Sequence, residues 1–224
     1  MSAVNIIIAV GVVIFAYLAG SVNFAVIFSK AFVGKDVRSE GSGNAGTTNV
    51  LRAIGKLPAA LTFICDALKG FVGCFAGKTV FTYLFEQSDG LGIFTPAYGA
   101  YFCCIAVMLG HIFPVFFGFK GGKAVATSVG TFAVCCPIAI ILGLTAFAVC
   151  LATSKIVSLS SLVATTVVVS VAVVYEFVSP AVEHNIIPTV ILILIAGYIV
   201  FIKHKDNIIR LSRGEEKKIS AKKG

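Results

Sequence analysis

Three observations predict an all-α, polytopic membrane protein. Of the 224 residues, 58% are hydrophobic and only 12% are charged, where a soluble domain carries roughly 25% charged residues. Mean hydropathy is +1.00, and the apolar residues fall in runs that reach the roughly 20 residues a helix needs to cross a bilayer. The charges sit between those runs, with basic and acidic residues in alternate gaps. No polar stretch is long enough for a separate soluble domain. The chain is therefore read as one domain over 1–224, with a basic tail over 203–224.

The first span is expected from about Val4 to Phe28, with Asn23 and Ser29 near its end and Lys30, Lys35 and Arg38 following. It lacks a charged leader and a small-residue cleavage site, so it reads as a retained helix. A glycine-rich loop runs to about Lys56. The second span starts near Pro58, a residue suited to a first helical turn, and ends near Phe85. It carries Asp66 and Lys69, three residues apart and so on one face, a costly placement that points to a function or to an inward-facing pair. The third span runs from Pro96 to about Gly110. Ala124–Thr153 is apolar but interrupted at Cys135-Cys136-Pro137, and suits either one kinked helix or two short helices in a hairpin. Spans at about Val157–Phe177 and Ile186–Ile202 complete the chain.

Charge selects between the two. With Ala124–Thr153 as a hairpin and the N-terminus outside, one face holds every lysine and arginine except Lys69 and Lys78, both within a span. The opposite face holds Glu86, Asp89, Glu176 and Glu183. The positive-inside rule favours this arrangement: seven transmembrane helical segments, two of them short, with the C-terminus cytoplasmic. The seven cysteines all lie in apolar runs without CxxC spacing and read as small buried hydrophobes. Histidines and carboxylates are scattered, so no metal site is expected.

Three polar stretches then share the cytoplasmic face. Gly41–Arg52 combines three glycines, neutral hydrogen-bonding side chains and an arginine, and suits either a flexible connection or an anion site. Phe119–Thr127 places Lys120-Gly121-Gly122-Lys123 at the start of a helix, where free N–H groups and a cation favour an anion. It lacks the P-loop spacing and a preceding strand. In the last stretch His204, Asn207 and Arg210 recur every three residues, which places them on one side if the last helix continues past the membrane. A polybasic contact with anionic lipid is the other reading of that segment. Together the three point to a site for phosphate groups at the membrane interface. A small anion transporter would show internal repeats and mid-bilayer binding groups. No repeat is present. A scaffold would not need two glycine-rich anion loops.

The motifs Gly-Ser-Gly-Asn-x-Gly-x-Thr-Asn-x-x-Arg, Gly-His-x-Phe-Pro-Val-Phe…Gly-Gly-Lys-x-Val-Ala-Thr and His-x-x-Asn-Ile-x-Arg-Leu-x-x-Gly-x-Glu, with Asp-x-x-Lys-Gly and Ser-Leu-Ser-Ser, cover essentially the whole chain. In that combination and order it resembles the bacterial acyl-phosphate-dependent glycerol-3-phosphate acyltransferases. The resemblance implies a seven-helix enzyme of the cytoplasmic (inner) membrane with its site facing the cytoplasm. Its substrates would be acyl phosphate and glycerol 3-phosphate, with lysophosphatidate and phosphate as products, in the first acylation of phospholipid biosynthesis. No cofactor, metal or nucleic acid is implied, the only other partner is membrane lipid, and a monomer suffices because one chain carries every group. Carried over by motif, the catalytic candidates are His204, Lys123 and Arg52. Substrate-binding candidates are Ser42, Asn44, Asn49, Gly121, Gly122, Thr127, Ser161, Asn207, Arg210 and, of the two glutamates after Gly214, Glu215. The chain departs from the usual pattern at Asn23, Ala45, Thr47 and Ala124. His111 reads as structural. Neither His111 nor His204 has an Asp five positions on, since Phe116 and Ile209 stand there, so a His-x4-Asp acyltransferase mechanism is excluded. Proton removal is open between His204 and the leaving phosphate.

Overall fold

The structure is a computed structural model that describes residues 3–87, 95–179 and 186–219. Asp89, Glu183, Lys222 and Lys223 lie outside the described residues. Ten α-helices follow in order among the described residues: α1 (Ala3–Gly20), α2 (Phe24–Val33), α3 (Thr47–Ala53), α4 (Lys56–Glu86), α5 (Pro96–Ile112), α6 (Val125–Cys135), α7 (Pro137–Ser154), α8 (Val157–Val178), α9 (Ile186–Lys203) and α10 (Lys205–Ser212). Six spans are long and apolar enough to cross a membrane, counting Ala3–Val33 as one, and α6 is a shorter apolar helix.

The first span differs from its sequence expectation. It breaks at Ser21-Val22-Asn23, and α2 restarts with Asn23 as its N-cap, the side chain accepting from Val26 N–H at 3.2 Å. Asn is a strong capping residue, so its place in an apolar run marks a helix end. The break frees the Val22 carbonyl, which Lys69 Nζ takes at 2.6 Å. Lys69 also lies 2.7 Å from Asp66 Oδ1, and both are buried. The intramembrane ion pair thus anchors the broken first span to α4.

α4 is the central post, against which α1, α2, α3, α5 and α6 all pack. The close approaches use small residues, as membrane helices do when backbones must touch. Gly130 of α6 sits on Ala67 of α4, Gly70 of α4 on Thr127, and Gly77 of α4 against Gly99 and Cys103 of α5. A methyl group on Gly130 would come within 1.8 Å of the Ala67 carbonyl oxygen. Gly20 of α1 meets Val107 of α5, and Gly110 of α5 meets Tyr17 of α1.

α7 and α8 form the second layer, Gly143 lying against Val168, and α9 closes onto α8 and α5. α6 ends beside α4, Cys135 Sγ lying 3.4 Å from Cys74 Sγ, and the chain turns at Cys136-Pro137 into α7. Lys155, just after α7, accepts from Ile219 N–H of the tail at 2.7 Å. Lys123, just before α6, bonds Asn207 of α10. Both ends of the α6–α7 unit therefore meet the same C-terminal segment.

Candidate functional site

The first loop is built around Asn49, which stands in the first turn of α3 and is buried. Its Oδ1 accepts from Ser42 N–H at 2.9 Å, and its Nδ2 donates to the Val37 and Glu40 carbonyls, each at 2.9 Å. Gly41 turns at φ 58°, and a Cβ there would lie 2.4 Å from Asn49 Oδ1, so only glycine fits. Asn49 is thus a clamp whose amide is fully engaged, leaving the Ser42 side chain on the exposed surface of the loop.

The second loop is laid over the end of α5. Gly121 N–H donates to the Ile112 carbonyl and Gly122 N–H to the His111 carbonyl, each at 3.1 Å. Sequence reasoning expected these N–H groups to be free for an anion; they are engaged in the fold. The glycines are there for space. A Cβ on Gly121 would come 1.9 Å from the His111 carbonyl oxygen, and one on Gly122 would meet His111 Nε2 and the Ala45 carbonyl oxygen. His111 itself is buried, its Nδ1 3.6 Å from Asp66 Oδ1, in keeping with a structural role. Arg38 ties the two loops together, Nη1 donating to the Phe117 carbonyl at 2.7 Å and the Lys120 carbonyl at 3.2 Å. Asp36 orients Arg38 at 2.8 Å, and that hydrogen bond holds the Asp36 carboxyl below its usual range. Ala124 follows at φ 61°. This left-handed conformation costs a non-glycine residue roughly 1–2 kcal/mol and gives a reason for the glycine more usual there.

These turns aim Lys123 at the C-terminal segment. Lys123 Nζ donates to Asn207 Oδ1. Asn207 Nδ2 donates to Glu216 Oε1 at 2.8 Å, and Arg210 Nε donates to Glu216 Oε2 at 2.7 Å. Burial pulls the Lys123 ammonium down to about 8, with Glu216 opposing and Arg210 assisting. Burial also raises the Glu216 carboxyl, but the hydrogen bonds from Asn207 and Arg210 outweigh it and hold the group low. Arg52 joins from α3, Nη2 donating to the Lys217 carbonyl at 3.1 Å.

His204 sits at the break between α9 and α10 and is buried. Its Nδ1 lies 2.8 Å from the Val200 carbonyl oxygen. A carbonyl only accepts, so Nδ1 carries the proton and Nε2 holds a lone pair in the neutral ring. Burial lowers its pKa to about 4.

Lys123, Asn207, Arg210 and, through the tail backbone, Arg52 are thus brought into one cluster. Thr127 is buried on α6, its hydroxyl without a hydrogen-bond partner among the described residues. Ser161 is buried on α8, its hydroxyl donating to the Val157 carbonyl at 2.9 Å. Asn44 is half-buried beside Gly46. Glu215 requires correction: it is exposed and contributes only its N–H, to the Arg210 carbonyl at 2.8 Å. Glu216 is the glutamate in the cluster. No three His, Cys, Asp or Glu side chains converge among the described residues.

Comparison with known proteins gives the fold and the cluster a context. A family model described as "Glycerol-3-phosphate acyltransferase" matches residues 10–214. The chain belongs to the glycerol-3-phosphate acyltransferase family. A glycerol-3-phosphate acyltransferase of Francisella tularensis subsp. holarctica is 42% identical over 212 residues, covering 94% of this chain and 93% of that protein. One of Synechococcus elongatus is 38% identical over 211 residues, covering 94% of each. The crystal structure of PlsY (YgiH), an integral membrane glycerol 3-phosphate acyltransferase, in its glycerol 3-phosphate form is similar with a TM-score of 0.76. Identity is 34%, over 95% of this chain and 96% of that one. Its lysophosphatidic acid form gives a TM-score of 0.73 at 33% identity, covering 95% of each chain.

The protein is accordingly an all-α integral membrane glycerol-3-phosphate acyltransferase of phospholipid synthesis, with about six long apolar helices. Within this acyltransferase, sequence reasoning passed over Arg38, Asp36 and Glu216. The signal for Glu216 was present, since the Gly-x-Glu spacing counted from Gly214 falls on it. Arg38 offered none, because it donates to the Phe117 and Lys120 carbonyls remote in sequence, and Asp36 matters only through Arg38, two residues away.

Proposed function

We propose that the donor is an acyl phosphate and that the chain forms 1-acyl-glycerol 3-phosphate and inorganic phosphate. The supporting observation is the Lys123–Asn207–Glu216–Arg210 cluster: a guanidinium held by a carboxylate and a partly buried ammonium linked to that carboxylate through Asn207, beside a neutral histidine. Two phosphate-bearing substrates must be held close without their repulsion winning, and Lys123, Arg52 and Arg210 are the counter-charges. The glycerol hydroxyl oxygen attacks the acyl carbon. The bond from that carbon to the phosphate oxygen breaks, and the phosphate leaves with the electron pair. Lys123 stabilises the departing charge.

His204 accepts a hydrogen bond from the hydroxyl at Nε2 and orients it. A pKa of about 4 makes the ring a weak base, so the leaving phosphate, whose second pKa is about 6 in a phosphate ester, takes the proton. Asn49, Gly121 and Gly122 hold the loops, Ser42 and Asn44 face the substrate from the first loop, and Thr127 and Ser161 line the inner wall. No cofactor or metal is needed because the mixed anhydride is already activated. The single domain crosses the bacterial inner membrane as seven segments. α1–α2 form the first, and α6 and α7 form the short hairpin. The N-terminus is outside, and the site and the tail are cytoplasmic. The monomer is the active unit.

The test is acyl transfer by the purified protein in detergent with EDTA, using labelled glycerol 3-phosphate with palmitoyl phosphate or, in parallel, palmitoyl-CoA. Lysophosphatidate from the phosphate donor alone is expected. Product from the CoA donor alone refutes the donor, and loss of product on adding EDTA refutes the metal-free chemistry. His204→Gln, whose amide oxygen can accept from the hydroxyl, is expected to keep more activity than His204→Ala. Equal loss in both would point to His204 as the base.

A further inference from the structure

The short α6 leaves one face of α4 uncovered. Eleven residues rise about 16 Å at 1.5 Å per residue, so α6 stops beside Cys74 while α4 continues to Glu86. Around and beyond that point Phe71, Phe75, Lys78, Thr82 and Glu86 follow at steps of three and four, which is one helical stripe. With Pro137, where the chain turns into α7, they line a groove of about 610 Å³. It lies toward the end of α4 remote from the phosphate-handling loops.

The chemistry along this groove is ordered. Phe71 and Phe75 stack at 5.8 Å and are 41% and 53% exposed, forming an apolar platform. Lys78 comes next, less than one turn past Phe75, and Glu86 lies about 12 Å further at 1.5 Å per residue, at the helix end. Neither has an ion-pair partner among the described residues. A lone carboxylate would discourage a purely anionic ligand, and a lone ammonium a purely cationic one. A zwitterion with its phosphate nearer the hydrocarbon and its ammonium further out satisfies both. Lys78 can extend its stem along the groove and place its head at the interface.

We propose that this groove binds a zwitterionic glycerophospholipid bearing a primary ammonium, with acyl chain on Phe71 and Phe75, phosphate on Lys78 and ammonium on Glu86. The site is separate from the catalytic cluster and does not depend on the identity of the acyl donor.

Native mass spectrometry of the detergent-purified protein, offered equal amounts of phosphatidylethanolamine and phosphatidylglycerol, tests it. The wild type is expected to retain phosphatidylethanolamine several-fold over phosphatidylglycerol. Glu86→Gln should bring the two to parity, and Lys78→Gln should lose both. Acyl transfer in detergent should be unchanged in each variant, which also reports that each is folded. Wild type without lipid preference, or variants retaining lipid as wild type does, overturns the proposal. Photocrosslinking of a diazirine phosphatidylethanolamine to the wild type gives a readout free of variant folding: label on the 71–87 segment is expected, and label confined to other segments refutes the site.

Discussion

Lys123 must be a cation when substrate arrives, yet it is partly desolvated. Its lowered pKa of about 8 therefore sets an upper limb to activity. In kcat/KM, which reports the free enzyme, activity should fall above about pH 8, approaching tenfold per pH unit. In kcat the fall should come at higher pH, because a bound anion favours the charged ammonium. His204, neutral down to about pH 4, should give no inflection near 6.5. A pH series of initial rates reads both. The paired glutamates offer a sharper contrast. Glu216→Gln removes the charged acceptor from Arg210 and Asn207. As Arg210 is 41% exposed, the cost to stability is discounted to about 1 kcal/mol, with a larger effect on kcat/KM as Lys123 and Arg210 lose their common tether. Glu215→Gln should match wild type in thermal melting and rate.

Among the elements, the broken first span and the ion pair belong together. Lys69 answers both Asp66 and the Val22 carbonyl, so Lys69→Met strands a buried carboxylate and an open carbonyl at once. Removing one partner of a buried pair costs about 3–5 kcal/mol. The variant should show a large loss of melting temperature in detergent, and the double change Asp66→Asn/Lys69→Met should regain much of it. The sequence carried these features unevenly. The break between α6 and α7 was legible because Cys135-Cys136-Pro137 interrupts the apolar run where a proline ends a helix. The break at Asn23 was not, since an apolar window averages over a single capping residue. Likewise the helix ends at Lys203 and restarts at Lys205, a break that the three-residue spacing of His204, Asn207 and Arg210 does not signal. Motifs named the residue types of the site but not their duties. Asn49, Gly121 and Gly122 turn inward to hold loops, which only the three-dimensional path of the backbone determines.

The whole molecule is a bundle whose basic loops are clipped to one another: Arg38 to the second loop, Arg52 to the tail, and the tail to Lys155. All these positions should therefore face one compartment. Cysteines introduced at Lys120, Lys155 and Lys217 should react with a membrane-impermeant maleimide from the cytoplasmic side, and one at Gln87 from the opposite side. The native cysteines, none of them exposed, should stay quiet. Labelling of Lys155→Cys from the side of Gln87→Cys would rule out the hairpin. The clasp by Glu216 also bears on the order of synthesis. Ser42, Arg52 and Lys123 leave the ribosome long before residue 216, and until that carboxylate arrives Lys123 and Arg210 lack their common tether. A nascent chain would thus insert and pack its earlier helices before the carboxylate that joins Asn207 to Arg210 has been made.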